Sequence, residues 1–178
     1  MADTVSSAQR HYIMSQVHST STKPEIILRK SLWCQGFRYR VNVKCLPGTP
    51  DIVLSKYRTV IFVHGCFWHG HKGCKSASTP KTNTDFWTAK ITRNQERDQE
   101  VWRQLEAKGW YVIIVWECQL KKVVLEETIS KVTATIHQNG EAIQQIAEER
   151  KKAREAYQLE MRSRREREAC LRAELVQH

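Results

Sequence analysis

The chain has 178 residues and a formal charge of +10, with 29 Lys and Arg against 19 Asp and Glu, six cysteines and seven histidines. That length fits one domain with one core and excludes two of ordinary size, while the charge favours a polyanionic partner over a neutral small molecule. There is no apolar run long enough to span a bilayer, and Met1-Ala2-Asp3-Thr4 lacks the basic-then-apolar layout of a signal peptide. A cytosolic protein with reduced cysteines and no membrane partner is expected.

Residues 1–20 read as a short arm, polar apart from positions such as Tyr12, Ile13 and Val17. Ser21 or Thr22 caps a helix with Pro24 and Glu25 in its first turn and Ile27, Leu28 and Leu32 on its buried stripe, and Gly36 stops it. The alternation over 37–41 predicts a strand. A turn cluster, 46–50, leads into a second strand at 51–54, and polar 55–58 closes a hairpin into a third, 59–63, with Gly65 at its exit. After a polar loop over 75–84, Thr84 or Asp85 caps a long helix from Phe86 to about Lys108, ended by Gly109. Residues 110–116 are apolar at every position, which predicts a strand covered on both faces in a mixed or parallel sheet. The order helix, three strands, helix, strand, helix is α/β with a central sheet flanked by helices.

From Gln138 the composition becomes dense in Glu, Arg and Lys. Glu148 and Lys152, Glu160 and Arg164, and Glu168 and Arg172 stand four apart with the acid first, which predicts one exposed helix. Nine basic and eight acidic residues there leave a net +1, so nearly all the excess charge lies in the preceding domain. The tail is not expected to be the main polyanion contact. The division expected is an arm over 1–20, a domain over 21–138 and a charged helical tail over 139–178.

The densest chemistry sits where the third strand ends, His64-Gly65-Cys66-Phe67-Trp68-His69-Gly70-His71-Lys72-Gly73-Cys74. Cys66, His71 and Cys74, with Cys118 from the end of the last strand, form a three-cysteine, one-histidine set suited to closed tetrahedral zinc; the plainer alternative leaves Cys118 as a core residue. Asp51, entering a strand after Pro50, is placed to hold a hard cation such as Mg²⁺ together with the backbone carbonyl of Val63, although an aspartate there is more often a turn residue. His69, between two zinc ligands, is free for acid–base work, and imidazole titrates near neutrality. His64 can contact a phosphate or orient a metal-bound water, or be a satisfied core histidine. On the long helix Lys90, Asn94, Arg97 and Asp98 share a broad face: Asp98 is placed to fix the His69 tautomer, Lys90 and Arg97 to meet phosphates and Asn94 to contact DNA, against the alternative of a solvated face. Phe67 and Trp68, with Trp87, suit wedges entering a base stack.

On Leu46-Pro47-Gly48-Thr49-Pro50-Asp51, on 60–69, on Lys90-Ile91-Thr92-Arg93-Asn94-Gln95-Glu96-Arg97-Asp98 and on 109–118, the chain resembles the very short patch repair (Vsr) endonucleases, which nick mismatched DNA and have a restriction-endonuclease-like fold. The resemblance implies a bacterial enzyme that cuts one strand of double-stranded DNA 5′ to the thymine of a T:G mismatch left by deamination of 5-methylcytosine. It implies Mg²⁺ on Asp51, His69 as the base, and assistance from Glu25, His64 and Asp98. It also implies structural Zn²⁺ on Cys66, His71, Cys74 and Cys118, and DNA contacts from Phe67, Trp68, Trp87 and an arm around Met14. A monomer working with mismatch-repair and repair-synthesis proteins is expected. Val63 stands where a threonine is common, and the tail has no counterpart in the family core. Two rival readings remain open at this point: a restriction-type or recombination-linked nuclease without mismatch specificity, and a zinc-stapled DNA-binding module without catalysis.

Overall fold

The computed structural model describes residues 20–78, 80 and 83–175 together with Gln9, Tyr12 and Ser15, and side chains as far as residue 167. Most of the arm, Met14 included, lies outside the described residues. The body is a three-stranded mixed sheet between helices. β1 (Ile52–Leu54) pairs antiparallel with β2 (Thr59–His64), and β2 pairs parallel with β3 (Tyr111–Trp116). Among the described residues after 20, three α-helices flank it: α1 (Lys23–Cys34), α2 (Thr84–Ala107) and α3 (Leu125–Leu175).

Both faces of β2 are covered, which is why its sequence is apolar at consecutive positions instead of alternating. Ile52, Leu54, Ile61 and Val115 pack with Leu28 and Leu32 of α1 and with Ile129, Val132 and Ile136 of α3. Val53, Val60 and Phe62 face the other way, onto Leu105, Val101 and Trp102 of α2. Leu28 and Leu32 are fully buried, and truncating either to alanine should cost about 2–5 kcal/mol. β3 is less enclosed than its composition predicts. It lies at the end of the strand order, so only Val115 is buried outright.

The segment 37–41 does not form the expected strand. Arg40 alone bridges Val53, through paired backbone hydrogen bonds of 2.8 and 3.0 Å, and Asn42 at φ +48° turns the chain away before a ladder can extend. Its alternation reflects instead the insertion of Phe37 and Tyr39 into the core beside Tyr57. The α2 helix begins after Asn83, one residue before the caps expected from sequence. The α3 helix starts at Leu125 and crosses the change of composition at 138 without a break. It is seated there by Asn139, whose amide donates to Thr59 Oγ1 at 3.0 Å, and by Gly140, where a Cβ would come within 2.8 Å of the Tyr57 ring. Among the described residues no helix is long and apolar enough to cross a membrane.

Candidate active site and metal centre

The end of β2 delivers two clusters to opposite sides of one loop. On the first side a cavity of about 690 Å³ opens between the start of α1, the turn before β1, the end of β2 and the middle of α2; Glu25, Asp51, His64, His69 and Asp98 all line it. Four separated segments of sequence thus converge on one space.

Asp51 sits against the hairpin partner strand. Its Oδ2 accepts the Val63 N–H at 2.8 Å, which sets the carboxylate beside the Val63 backbone. Burial pushes its pKa up to about 6, and the nearby Glu25 adds to this against the lowering pull of that hydrogen bond, Arg29 and His69. The Val63 side chain packs on the core, so replacing a hydroxyl-bearing residue there changes the hydrophobic packing and leaves the backbone groups in place. Glu25 is buried and reaches back over the helix start, accepting from the Ser21 and Thr22 N–H groups at 2.9 and 3.3 Å and from the Thr22 hydroxyl at 2.8 Å. Arg29 then bridges it to the next element: one guanidinium nitrogen lies 2.8 Å from Glu25 Oε2 and donates to the Asp51 carbonyl at 3.2 Å. Sequence reasoning missed Arg29, although its place four residues after Glu25 is the acid-first spacing used above for the tail.

His69 Nδ1 is 2.5 Å from Asp98 Oδ2, and Asp98 is only 8 % exposed. Burial alone would raise the Asp98 pKa, but the hydrogen bond and charge of His69, with smaller contributions from His64 and Arg97, bring it below the ordinary value. An ionised carboxylate only accepts, so Nδ1 carries the hydrogen and Nε2 is left as the basic atom. His64 stacks on His69 with ring centroids 3.8 Å apart, and Trp102 and Trp116 lie within 6.0 Å of it. Burial, and then the charge of His69, lower its pKa to about 4, and its buried Nδ1 has no hydrogen-bond partner among the described residues. A neutral imidazole with an unsatisfied nitrogen on the cavity wall is a ready acceptor or ligand.

On the second side the donor atoms of Cys66, His71, Cys74 and Cys118 all lie within 4.8 Å of one another. His71 Nδ1 is 3.5 Å from Cys66 Sγ and 3.4 Å from Cys118 Sγ, and its ring stacks on Trp116 at 4.1 Å. Cys118 therefore joins the local trio and is not a separate core cysteine. Burial pushes the Cys66 thiol up to about 12, while the backbone around Ser76 pulls Cys74 down. Three thiols crowded around one imidazole fit a thiophilic cation of closed tetrahedral geometry. Gly70, at φ +62° and with a would-be Cβ 2.6 Å from Gln95 Nε2, lets the loop turn between the two clusters.

The α2 residues divide. Asn94 donates to the Trp68 carbonyl at 2.9 Å and Gln95 to the His69 carbonyl at 3.2 Å, so both pin the loop. Gln95 was not legible beforehand. Arg97 is exposed and 3.6 Å from Asp98. Phe67, Trp68 and Trp87 meet edge to face at 5.2–5.9 Å, with the Lys90 ammonium 5.3 Å from the Trp68 ring. Phe86, 59 % exposed and 5.2 Å from Trp87, extends the cluster outward.

The sequence pattern of the family described as DNA mismatch endonuclease Vsr matches residues 2–75. A type II nicking enzyme of Neisseria meningitidis, V.NmeAIP, is 50% identical over 137 residues, covering 76% of this chain and 97% of the relative. The chain belongs to the Vsr family. The DNA mismatch endonuclease Vsr of Escherichia coli is 45% identical over 121 residues, 68% of this chain and 77% of its own, and the nicking enzyme V.XorIIP of Xanthomonas oryzae is 49% identical over 120. This Vsr-family chain is thus a DNA endonuclease with an α/β fold, and DNA is its partner. Membership bears on the reading without catalysis, because the family is one of enzymes. The cavity is where the chain gathers Asp51, His64, His69 and Asp98 on one open space.

Proposed function

We propose that the protein nicks one strand of duplex DNA 5′ to the thymine of a T:G mismatch, using Mg²⁺ held at Asp51. The observation that carries this reading is the convergence of Asp51, His64 and the His69–Asp98 pair on one open cavity, with Trp68 of a half-buried aromatic cluster on its lining. A hard cation fits Asp51: one carboxylate oxygen is held by the Val63 N–H, the Val63 backbone is adjacent, and the cavity leaves room for water and phosphate. When bound there, Mg²⁺ supplies positive charge against the phosphate oxygens. His69, its Nδ1 hydrogen held by Asp98, takes a proton from the attacking water at Nε2, and neutral His64 accepts a hydrogen bond from water or binds beside the phosphate. Glu25 and Arg29 hold the Asp51 backbone in place. Zn²⁺ on Cys66, His71, Cys74 and Cys118 would fasten the loop that carries His69 and perform no chemistry, since four protein ligands leave no open position.

Phe67, Trp68 and Trp87, with Lys90 over the two tryptophan rings, are the wedge that opens the stack at the mismatch, where unstacking is easiest. The phrase "DNA mismatch endonuclease" in the name of the E. coli relative favours mismatch recognition over a nuclease indifferent to pairing. A strand-specific nicking assay with Mg²⁺ tests both parts on one labelled duplex carrying T:G and on its T:A twin, with varied flanks. The expected product is a single nick beside the mismatched thymine, absent from the twin and from Asp51→Ala. Equal cutting of both duplexes rejects mismatch recognition, and undiminished cutting by Asp51→Ala rejects the metal position.

A further inference from the structure

The tail reading from net charge conceals a direction. At about 100° per residue, the five basic residues Arg150, Lys151, Arg154, Arg162 and Arg165 fall within an arc of about 120° on α3. The six acidic residues between 141 and 167 (Glu141, Glu148, Glu149, Glu155, Glu160 and Glu166) fall within about 140° on the other side, and the two arcs do not overlap. A near-neutral helix therefore presents one side that is basic without an acid, while the other side carries the six acids together with Lys152 and Arg167, and Arg164 lies between the two. All five basic residues are exposed. Lys151 approaches Glu155 at 4.0 Å, and Arg150, Arg154, Arg162 and Arg165 make no ion pair among the described residues.

The stripe continues the face by which α3 is seated. Counting by sevens, Ile129, Ile136 and Ile143 lead to Arg150, with a drift of only about 20° per step. Ile129 and Ile136 are buried against the sheet and Ile143 is half-buried, so the side of the helix that meets the domain becomes basic once it leaves it. The place of exit is fixed by two hydrogen bonds. Thr128 Oγ1 donates to the Gln119 carbonyl, just beyond β3, and Asn139 donates to Thr59 at the start of β2. The helix thus runs against the direction of β2 and β3 and leaves at the pole opposite His64 and the cleft. From residue 140 to Leu175 it extends about 50 Å, and Arg150 to Arg165 occupy about 22 Å of that length.

We propose that this basic stripe is a second duplex-DNA contact, engaging phosphates of a segment other than the one held in the cleft. Duplex DNA is the polyanion that the family works on, and a row of exposed guanidiniums without base-reading geometry suits its backbone. The other side, six acids against Lys152 and Arg167, is net negative, so the stripe is the side that approaches phosphates. The stripe gives the enzyme a hold on neighbouring DNA while the cleft is filled, which goes beyond the nicking reaction itself.

The test immobilises the full-length protein through a short duplex bound in the cleft and measures capture of a second, labelled, matched duplex across a salt series. Wild type should capture it with a steep salt dependence, a log–log slope of about −4 for four or five phosphates neutralised. The variant R150Q/R154Q/R162Q/R165Q should lose capture at least tenfold while nicking a short T:G duplex at the wild-type rate. Lys152→Gln with Arg167→Gln, two exposed basic residues outside the arc, should leave capture nearly unchanged. The proposal is overturned if wild type captures no second duplex, if the stripe variant captures as well as wild type, or if the off-stripe pair loses as much per charge. Slower nicking of the short duplex by the stripe variant would place these arginines on the cleft's own DNA and overturn it as well. The immobilised duplex need not be mismatched, so the outcome is independent of T:G specificity.

Discussion

The two sides of the loop after β2 use similar residue types to opposite ends. The donor atoms of Cys66, His71, Cys74 and Cys118 lie within 4.8 Å of one another, as do those of His64, His69 and Asp98, but the first set is three thiols and an imidazole, enough to fill a closed tetrahedral shell. Around Asp51, His64, His69 and Asp98 the polar atoms point into a cavity of about 690 Å³, with a buried imidazole nitrogen unpaired and a carboxyl held with a raised pKa. A group of donors that satisfies itself once a metal is present is structural. A group that keeps an unsatisfied balance toward an open space is equipped to act on something that enters it.

The sharpest way to break this contrast is to remove one member from each side. His69→Ala should lower the nicking rate about 10²–10⁴-fold, the usual contribution of a positioned base, with duplex affinity and melting temperature little changed. A rate near wild type would take His69 out of the chemistry. Cys118→Ser should do the reverse. Zinc measured by elemental analysis should fall well below one equivalent, and a stability loss of about 3 kcal/mol should lower Tm by roughly 6–12 °C for a domain of this size. If Cys118→Ser keeps its metal and its Tm, the cluster is not the staple proposed here.

Asp98→Asn sharpens the contrast inside the cleft. The amide can offer its N–H₂ to His69 Nδ1 and so turn the basic nitrogen inward, where it cannot reach water. Nicking should fall about 10–100-fold, and the loss should appear in kcat and not in duplex affinity. An effect on affinity alone would make Asp98 a DNA contact.

The Cys/His cluster and the hairpin could be read from residue types because short spacings carry them: Cys66, His71 and Cys74 are close in sequence, and the polar break at 55–58 separates two apolar runs. What joined them was less visible. The 2.5 Å contact of His69 with Asp98 spans 29 residues and was inferred from a helix face shared with three other polar residues. Asn94 and Gln95, on the same face, turned out to bind carbonyls of the loop, a difference set by a rotation of a few tens of degrees that periodicity does not resolve. The strand expected at 37–41 reduced to one bridge because alternation records burial, and Phe37 and Tyr39 achieve it beside Tyr57 without a ladder. In the tail, counting charges erased the one property that matters for a helix, the direction in which each charge points.

The smallest effect predicted is also the most specific to the cleft. Asp51 titrates near 3.9 in an unfolded chain and at about 6 in the fold, chiefly because burial disfavours its charged form. Its folded pKa is raised, so the protonated carboxyl is the form that the metal-free fold prefers. Below the unfolded pKa both states are protonated and nothing is lost; as pH rises through the folded value the fold must hold a buried charge, and stability falls. Asp51→Asn keeps an oxygen for the Val63 N–H and removes that charge. In metal-free protein it should therefore stabilise by about 1–2 kcal/mol above pH 7, raising Tm by roughly 2–8 °C, and the gain should shrink between pH 6 and 4. Added Mg²⁺ should erase it by stabilising wild type alone. A variant that loses both nicking and stability at pH 8 would show that Asp51 supports the hairpin. One that loses nicking while gaining stability would show a carboxylate retained against the preference of the fold, for the cation it holds.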